Sequence, residues 1–196
     1  MLEEDLLSKV RKFATDNSKN DDIHGFSHTE RVYELCIKIG KKLGADLFIL
    51  KLSALFHDIG RIQEKKIESK GNHAEFSAQM ALNFLKRKDI EINEKVINQV
   101  IHCIRAHSFS NNIIPETLEA KILSDVDKLD ALGAIGLYRT IGFTIKNQGG
   151  IDQVIEHLEN KILKLKDKLY LDFSKKVADE RQKIILDFYN EILKKS

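Results

Sequence analysis

An all-α fold, a single helical bundle over residues 1–196, is predicted by three observations. The chain carries one proline (Pro115) in 196 residues. It lacks the two-residue alternation of half-buried strands. Its apolar residues instead recur every three or four positions, the spacing that lines one face of a helix.

The elements follow in order. Leu2 to about Thr15 reads as an amphipathic helix, followed by a polar segment from Asp16 to Phe26. Ser27-His28-Thr29-Glu30 has the Ser-x-x-Glu form of a capping box and opens a helix to about Leu43, which Gly44 stops. His28 thereby falls in a first turn. A mostly apolar helix runs from about Asp46 to Asp58, ended by Ile59-Gly60-Arg61. Asn72-His73-Ala74-Glu75 repeats the capping pattern and leads into Phe76, Met80 and Phe84.

The next helix spans about Asn93 to His107, with Val96, Val100 and Ile104 as its inner stripe. His107 continues that stripe inward, whereas His102 lies about 140° away around the axis. Pro115 marks a helix start, and Leu118, Ile122, Val126 and Leu129 give that helix its inward face. Gly133, Gly136 and Gly142 point to tight turns or close helix packing. Two long helices, about Ile151–Leu169 and Phe173–Lys194, complete the bundle. They either pack on the core or exchange with a second copy in a homodimer.

Composition narrows the function classes. Hydrophobic residues make up 42% and charged residues 32%, enough for a sizeable core in one domain. The net charge is +2, from 32 basic and 30 acidic residues, so no global field favours nucleic acid or an anionic membrane. The lysines from Lys161 to Lys176 alternate with Asp and Glu and read as a solvated face. Cys36 and Cys103 lie inside apolar patterns, as small core residues of a reducing compartment. The acidic start, Met1-Leu2-Glu3-Glu4-Asp5, lacks the order of a signal peptide. No apolar run approaches the roughly 18–20 residues of a membrane span. A cytoplasmic protein is expected.

The chemistry concentrates at His57-Asp58. A vicinal imidazole and carboxylate at the end of an apolar helix need partners, and a divalent cation satisfies both. Of seven histidines, His28, His57, His73 and His107 fall at helix starts, ends or inward stripes. In a first turn the helix dipole keeps an imidazole neutral, the form that binds metal.

In chain order the residues run His28, His57-Asp58, then Asp127 within Asp125-Val126-Asp127-Lys128-Leu129. At these positions the sequence resembles the HD superfamily of metal-dependent phosphohydrolases, all-helical proteins with a His, His-Asp, Asp order. It is most similar to the branch that contains nucleoside triphosphate pyrophosphohydrolases. The phrases that carry the resemblance are His24-x3-His28-x2-Arg31-Val32, Leu55-Phe56-His57-Asp58-Ile59-Gly60-Arg61 and the stretch from Glu119 to Gly136. It continues through His157 to Arg181. One departure is Gly25, where that branch usually has Asp, which leaves His24 without a full motif.

The resemblance implies a metal-site core at about residues 20–135, with C-terminal helices at about 151–195 packed on it. The implied ligands are His28, His57, Asp58 and Asp127; Asp125, two residues from Asp127 and so about 200° away on a helix, reads as a group behind the ligands or at the surface. Two imidazoles and two carboxylates suit Mn²⁺, Ni²⁺, Co²⁺, Fe²⁺ or Zn²⁺ better than Mg²⁺. An octahedral ion would keep two positions for water and a phosphate oxygen. Arg61 and Lys128, close to the ligands, are the catalytic cations expected to clamp substrate phosphates. Arg31, one turn after His28, is assigned to substrate; the alternative for each of these three cations is a salt bridge to Asp21, Asp22 or Glu64, or a place behind a ligating carboxylate. His73 and His107 are assigned to phosphate binding or proton relay, with a second metal as the alternative.

The expected reaction converts a nucleoside triphosphate to monophosphate and pyrophosphate. A 5′-nucleotidase or phosphodiesterase is the next reading. A diiron oxygenase and a non-catalytic nucleotide sensor are more distant ones. The expected partner is a small nucleotide, with neither nucleic acid nor membrane.

Overall fold

Our computed structural model describes residues 3–19, 21, 23, 25–66 and 72–194. His24 lies outside the described residues. The elements are α1 (Glu3–Asp16), α2 (Phe26–Leu43), α3 (Leu47–Phe56), α4 (Arg61–Lys66), α5 (His73–Leu85), α6 (Glu94–His107), α7 (Leu118–Asp130), α8 (Gly133–Lys146), α9 (Ile151–Asn160) and α10 (Asp172–Leu193). Among the described residues there is no strand, only an isolated bridge between Lys19 and Gly25. The chain divides into two compact units, Met1–Ser124 and Asp125–Ser196, and the division falls within α7.

In the first unit α3 is the central element. It is apolar around most of its circumference, so it is stable only where neighbours cover every side. Helices α1, α2, α5 and α6 all pack against it. Leu50, Leu52, Leu55 and Phe56 are fully buried, each contributing about 1.5–3 kcal/mol relative to exposure. Phe13 of α1, Phe56 of α3 and Phe84 of α5 form an aromatic cluster with ring centroids 4.7–6.3 Å apart. Asp46 starts α3 by accepting the amides of Phe48 (2.9 Å) and Ile49 (3.1 Å).

Several boundaries differ from the sequence reading. The capping box at Ser27 does not form. Phe26 is already helical, Gly25 is the cap residue, and Glu30 pairs with Arg11 of α1 instead. Helix α3 ends at Phe56, so His57-Asp58 opens a turn rather than closing a helix. The buried face of α6 carries Ile97, Val100, Ile101 and Ile104, with Val96 at its margin. Pro115 lies ahead of α7, whose Ala120 amide donates to Thr117 Oγ1 (3.1 Å). The expected helix Ile151–Leu169 stops at Asn160, because Lys161 leaves the helical region (φ −130°, ψ −60°). Two short 3-10 turns follow at Ile162–Lys164 and Lys166–Lys168. Ile162, Leu165 and Leu169 stay buried through the break. Their spacing is that of a helix face, so the break leaves no mark in the sequence.

In the second unit Asp125 is an anchor, although the sequence placed it behind the ligands or at the surface. Its carboxylate is fully buried and accepts the amides of Tyr170 (2.8 Å) and Leu171 (2.9 Å), fixing the chain just before α10. Burial pushes this carboxyl up, partly offset by those two amides, Ser174 and Lys128. Arg181 of α10 donates to the Leu129 carbonyl (2.6 Å), and Arg139 of α8 pairs with Asp130 (2.6 Å). No helix among the described residues is long and apolar enough to cross a membrane.

Candidate metal centre

The centre is built where the turn after α3 meets the start of α5. Gly60 makes that approach possible. Its amide donates to Ser77 Oγ (2.9 Å), and a Cβ there would lie 2.5 Å from the Ser77 nitrogen and 2.6 Å from the His73 carbonyl oxygen. No side chain fits without moving backbone, so Gly60→Ala should cost about 1–3 kcal/mol. Equilibrium denaturation would measure the loss, and metal titration would show weakened uptake as His57-Asp58 is pushed away from His73.

Four histidines from separate elements converge on Asp58: His28 in α2, His57 after α3, His73 at the start of α5 and His107 at the end of α6. All five residues are buried. Asp58 Oδ2 lies 3.6 Å from the Nε2 atoms of both His28 and His57. Asp58 Oδ1 lies 3.6 Å from the Nε2 atoms of both His73 and His107. These gaps are too long for hydrogen bonds. They suit donors that share a cation, since two ligands at about 2.1 Å from an ion stand about 3 Å apart at a right angle.

Local hydrogen bonds aim the rings. His57 Nδ1 donates to the Ala54 carbonyl (2.8 Å) and His107 Nδ1 donates to the Ile104 carbonyl (2.5 Å). With Nδ1 protonated, each neutral ring presents an Nε2 lone pair inward. Glu64 holds His73 from behind, 3.4 Å from Nδ1 and accepting the His73 amide at 3.0 Å. His28 Nε2 and His57 Nε2 stand 3.2 Å apart, a separation at which two imidazoles share either a proton or a cation. Asp58 Oδ1 and His107 Nε2 are buried with no hydrogen-bond partner. Two adjacent acceptors left unsatisfied in the interior fit a cation between them. Two triads therefore share one carboxylate: His28, His57, Asp58 and Asp58, His73, His107.

Electrostatics keep the set ready for metal. Burial alone would raise the Asp58 carboxyl; the Arg61 guanidinium, followed by His57, His107 and His28, outweighs it and holds Asp58 well below the usual carboxylate range. Arg61 contacts Asp58 through Nε. His73 is lowered to about 4, first by burial and then by Arg61, against the opposing pull of Asp58.

The direction of the pH effect follows. Between pH 6.5 and about 4 the unfolded chain binds a proton that folded His73 refuses, so stability falls as pH drops through that window. The full loss is on the order of 3 kcal/mol. Thermal unfolding in chelator from pH 7 to pH 4 should show it, and His73→Gln should flatten the curve.

The structure thus gathers His28, His57, Asp58, His73 and His107 in the first unit, with Arg61 beside Asp58. Arg31 lies half-buried on α2, one turn after His28. Asp127 and Lys128 lie in the second unit, on α7. Asp127 is half-buried. Lys128 is buried, and burial lowers its ammonium, opposed by Asp127 and Asp125. His102 stands apart, as its position on α6 required, accepting the Glu116 amide (3.0 Å). Gly25 has a steric reason: a Cβ would meet the Asp21 and Lys19 carbonyl oxygens at 2.0 and 2.4 Å, so the Asp usual there cannot be accommodated. Sequence reasoning missed the part Glu64 plays behind His73, which only the fold of α4 onto α5 creates.

A helical scaffold that gathers buried imidazoles around an ionised aspartate, with an arginine beside it, can hold a divalent cation, as a metal-dependent phosphohydrolase of this family requires. The HD domain profile matches residues 25–132. YpgQ of Bacillus subtilis is 30% identical over 97% of this chain and 92% of its own length. The chain belongs to the HD domain family. The crystal structure of YpgQ in complex with ADP covers all of this chain and 97% of YpgQ, with a TM-score of 0.77 and 26% identity. A predicted HD superfamily hydrolase from an uncultured Thermotogales bacterium covers 96% of this chain and 92% of its own, with a TM-score of 0.70 and 26% identity. Ribonuclease Y of Thermoanaerobacter pseudethanolicus is 27% identical over 79% of this chain, which spans 27% of that longer protein.

Proposed function

We propose that the chain hydrolyses a nucleoside triphosphate to monophosphate and pyrophosphate, with divalent cations at the Asp58 centre. The observation that carries this reading is the carboxylate shared by two histidine pairs, each pair facing one of its oxygens. The ADP complex of the YpgQ relative supports a nucleotide as the substrate class.

His28, His57 and Asp58 would hold one transition-metal ion, Mn²⁺, Ni²⁺, Co²⁺, Fe²⁺ or Zn²⁺. Asp127 joins them on the strength of the motif order alone. His73 and His107, with Asp58 Oδ1, are the donors for a second ion. A bound divalent cation supplies acidified water and a polarised phosphorus–oxygen bond. Arg61 keeps Asp58 ionised and brings positive charge to the same place. Lys128 and Arg31 add cations for the phosphate oxygens, with Lys128 acting as a point charge. Orientation by Ala54, Ile104 and Glu64 keeps three imidazoles in the tautomer that accepts rather than donates.

The match to Ribonuclease Y favours a second reading, cleavage of a phosphodiester. One assay separates the two. The chain is incubated with nucleoside and deoxynucleoside triphosphates, monophosphates and a dinucleotide, with Mn²⁺, Ni²⁺, Co²⁺ or Mg²⁺. Pyrophosphate and monophosphate in equal amounts are expected from triphosphates. Orthophosphate from monophosphates would make it a nucleotidase, and a cleaved dinucleotide a phosphodiesterase. Metal-dependent dioxygen consumption would point to the oxygenase class. No turnover with bound metal would leave a sensor.

A further inference from the structure

We propose that Arg105 and Ser110 are positioning residues for the second cation, clamping His73 to His107 from outside the centre. This rests on the two-ion reading above. Every residue it uses belongs to the first unit.

His73 opens α5 and His107 closes α6, so the pair sits at two helix ends rather than within the packed length of either helix. The ring centroids are 5.4 Å apart, and each Nε2 stands 3.6 Å from Asp58 Oδ1, beyond hydrogen-bond range. A helix end is where the backbone hydrogen bonds run out and where the chain frays most readily. Two ligands placed there need something else to fix their spacing.

Two bridges supply it. Asn72, immediately before His73, donates from Nδ2 to Ser110 Oγ (2.8 Å), while its Oδ1 accepts the Ala74 amide (2.8 Å) and caps α5. Ser110 lies in the 3-10 turn Phe109–Asn111 and shares a hydrogen bond with Ser108 (2.9 Å), the buried neighbour of His107. Asn111 of the same turn donates to the Arg105 carbonyl (3.0 Å). Arg105, two residues before His107, donates to both carboxylate oxygens of Glu75, two residues after His73 (2.9 and 2.5 Å). Asn72 and Glu75 thus bracket one histidine, Arg105 and Ser108 bracket the other, and the brackets are joined across the gap.

An exposed ion pair adds little to global stability. What it fixes is distance. A cation tolerates only about 0.2 Å of error in each ligand bond, so a clamp that adds little stability can still govern uptake.

The test is calorimetric titration of the chelator-stripped chain with Mn²⁺, on wild type, Ser110→Ala, Arg105→Ala, the double variant and Ser110→Thr. Melting in chelator is followed alongside. Two binding steps are expected in the wild type, and the step missing in His73→Gln is the one that belongs to this pair. The double variant should weaken that step about tenfold, leaving the other step and the melting temperature unchanged. Ser110→Thr, which keeps the hydroxyl, should bind as the wild type does. Loss of a cation by itself favours a divalent ion, so weaker uptake in Arg105→Ala reports position rather than charge. Two wild-type steps that the double variant leaves unmoved, or weakens alike, overturn the clamp and leave the two-ion reading standing. A single wild-type step overturns both.

Discussion

Asp58→Ala should lower turnover at least about a thousandfold and remove metal from both triads, because each of its oxygens faces a different histidine pair. Four imidazoles would then crowd together with the carboxylate gone, Arg61 beside them and Glu64 behind His73. Asp58→Asn is the finer probe. An amide keeps one acceptor and turns the other side into a donor, so it can serve only one histidine pair. Metal analysis of purified protein should read one ion per chain in Asp58→Asn against two in the wild type, and none in Asp58→Ala. One ion in the wild type would leave His73 and His107 as phosphate-binding or proton-relaying groups, as the resemblance first suggested.

Asp125→Ala is expected to give the largest loss of stability. Removing the buried carboxylate leaves the Tyr170 and Leu171 amides without their acceptor and opens a cavity beside Lys128. Each stranded amide costs about 1–3 kcal/mol, so a total near 3 kcal/mol is expected. Melting in chelator should fall by roughly 6–12 °C. Asp125→Asn retains one acceptor and should lose about half as much. A melting temperature unchanged in Asp125→Ala would show that water replaces the carboxylate and that Tyr170 is not held by it.

Some of the centre was legible in the sequence because its signals are local. A polar pair at the end of an apolar run, such as His57-Asp58, is conspicuous without any knowledge of the fold. His107 continues an apolar stripe and therefore points inward, while His102 on the same helix does not. Asp46, Asn72 and Asn93 cap helices as their side chains allow.

Other expectations failed where two local patterns coincide. Ser27-x-x-Glu30 looks like a capping box, but Glu30 found Arg11 across a helix interface and the helix began at Phe26. The break after Asn160 is invisible because Ile162, Leu165 and Leu169 keep helical spacing through a 3-10 path. Asp125 looked like an accessory to Asp127, two residues away. The difference between a ligand candidate and a buried anchor lies in Tyr170 and Leu171, about 45 residues downstream.

By itself, then, the sequence determined that this protein is helical and that a His-Asp pair would emerge from its core, since helical period and composition act over a few neighbouring residues. Tertiary structure alone decided that His28, His57, His73 and His107 meet around one carboxylate and split into two pairs. The physical reason is that α3 is apolar on nearly every side. It draws α1, α2, α5 and α6 around itself, and where those helices end is set by their packing rather than by their own sequences.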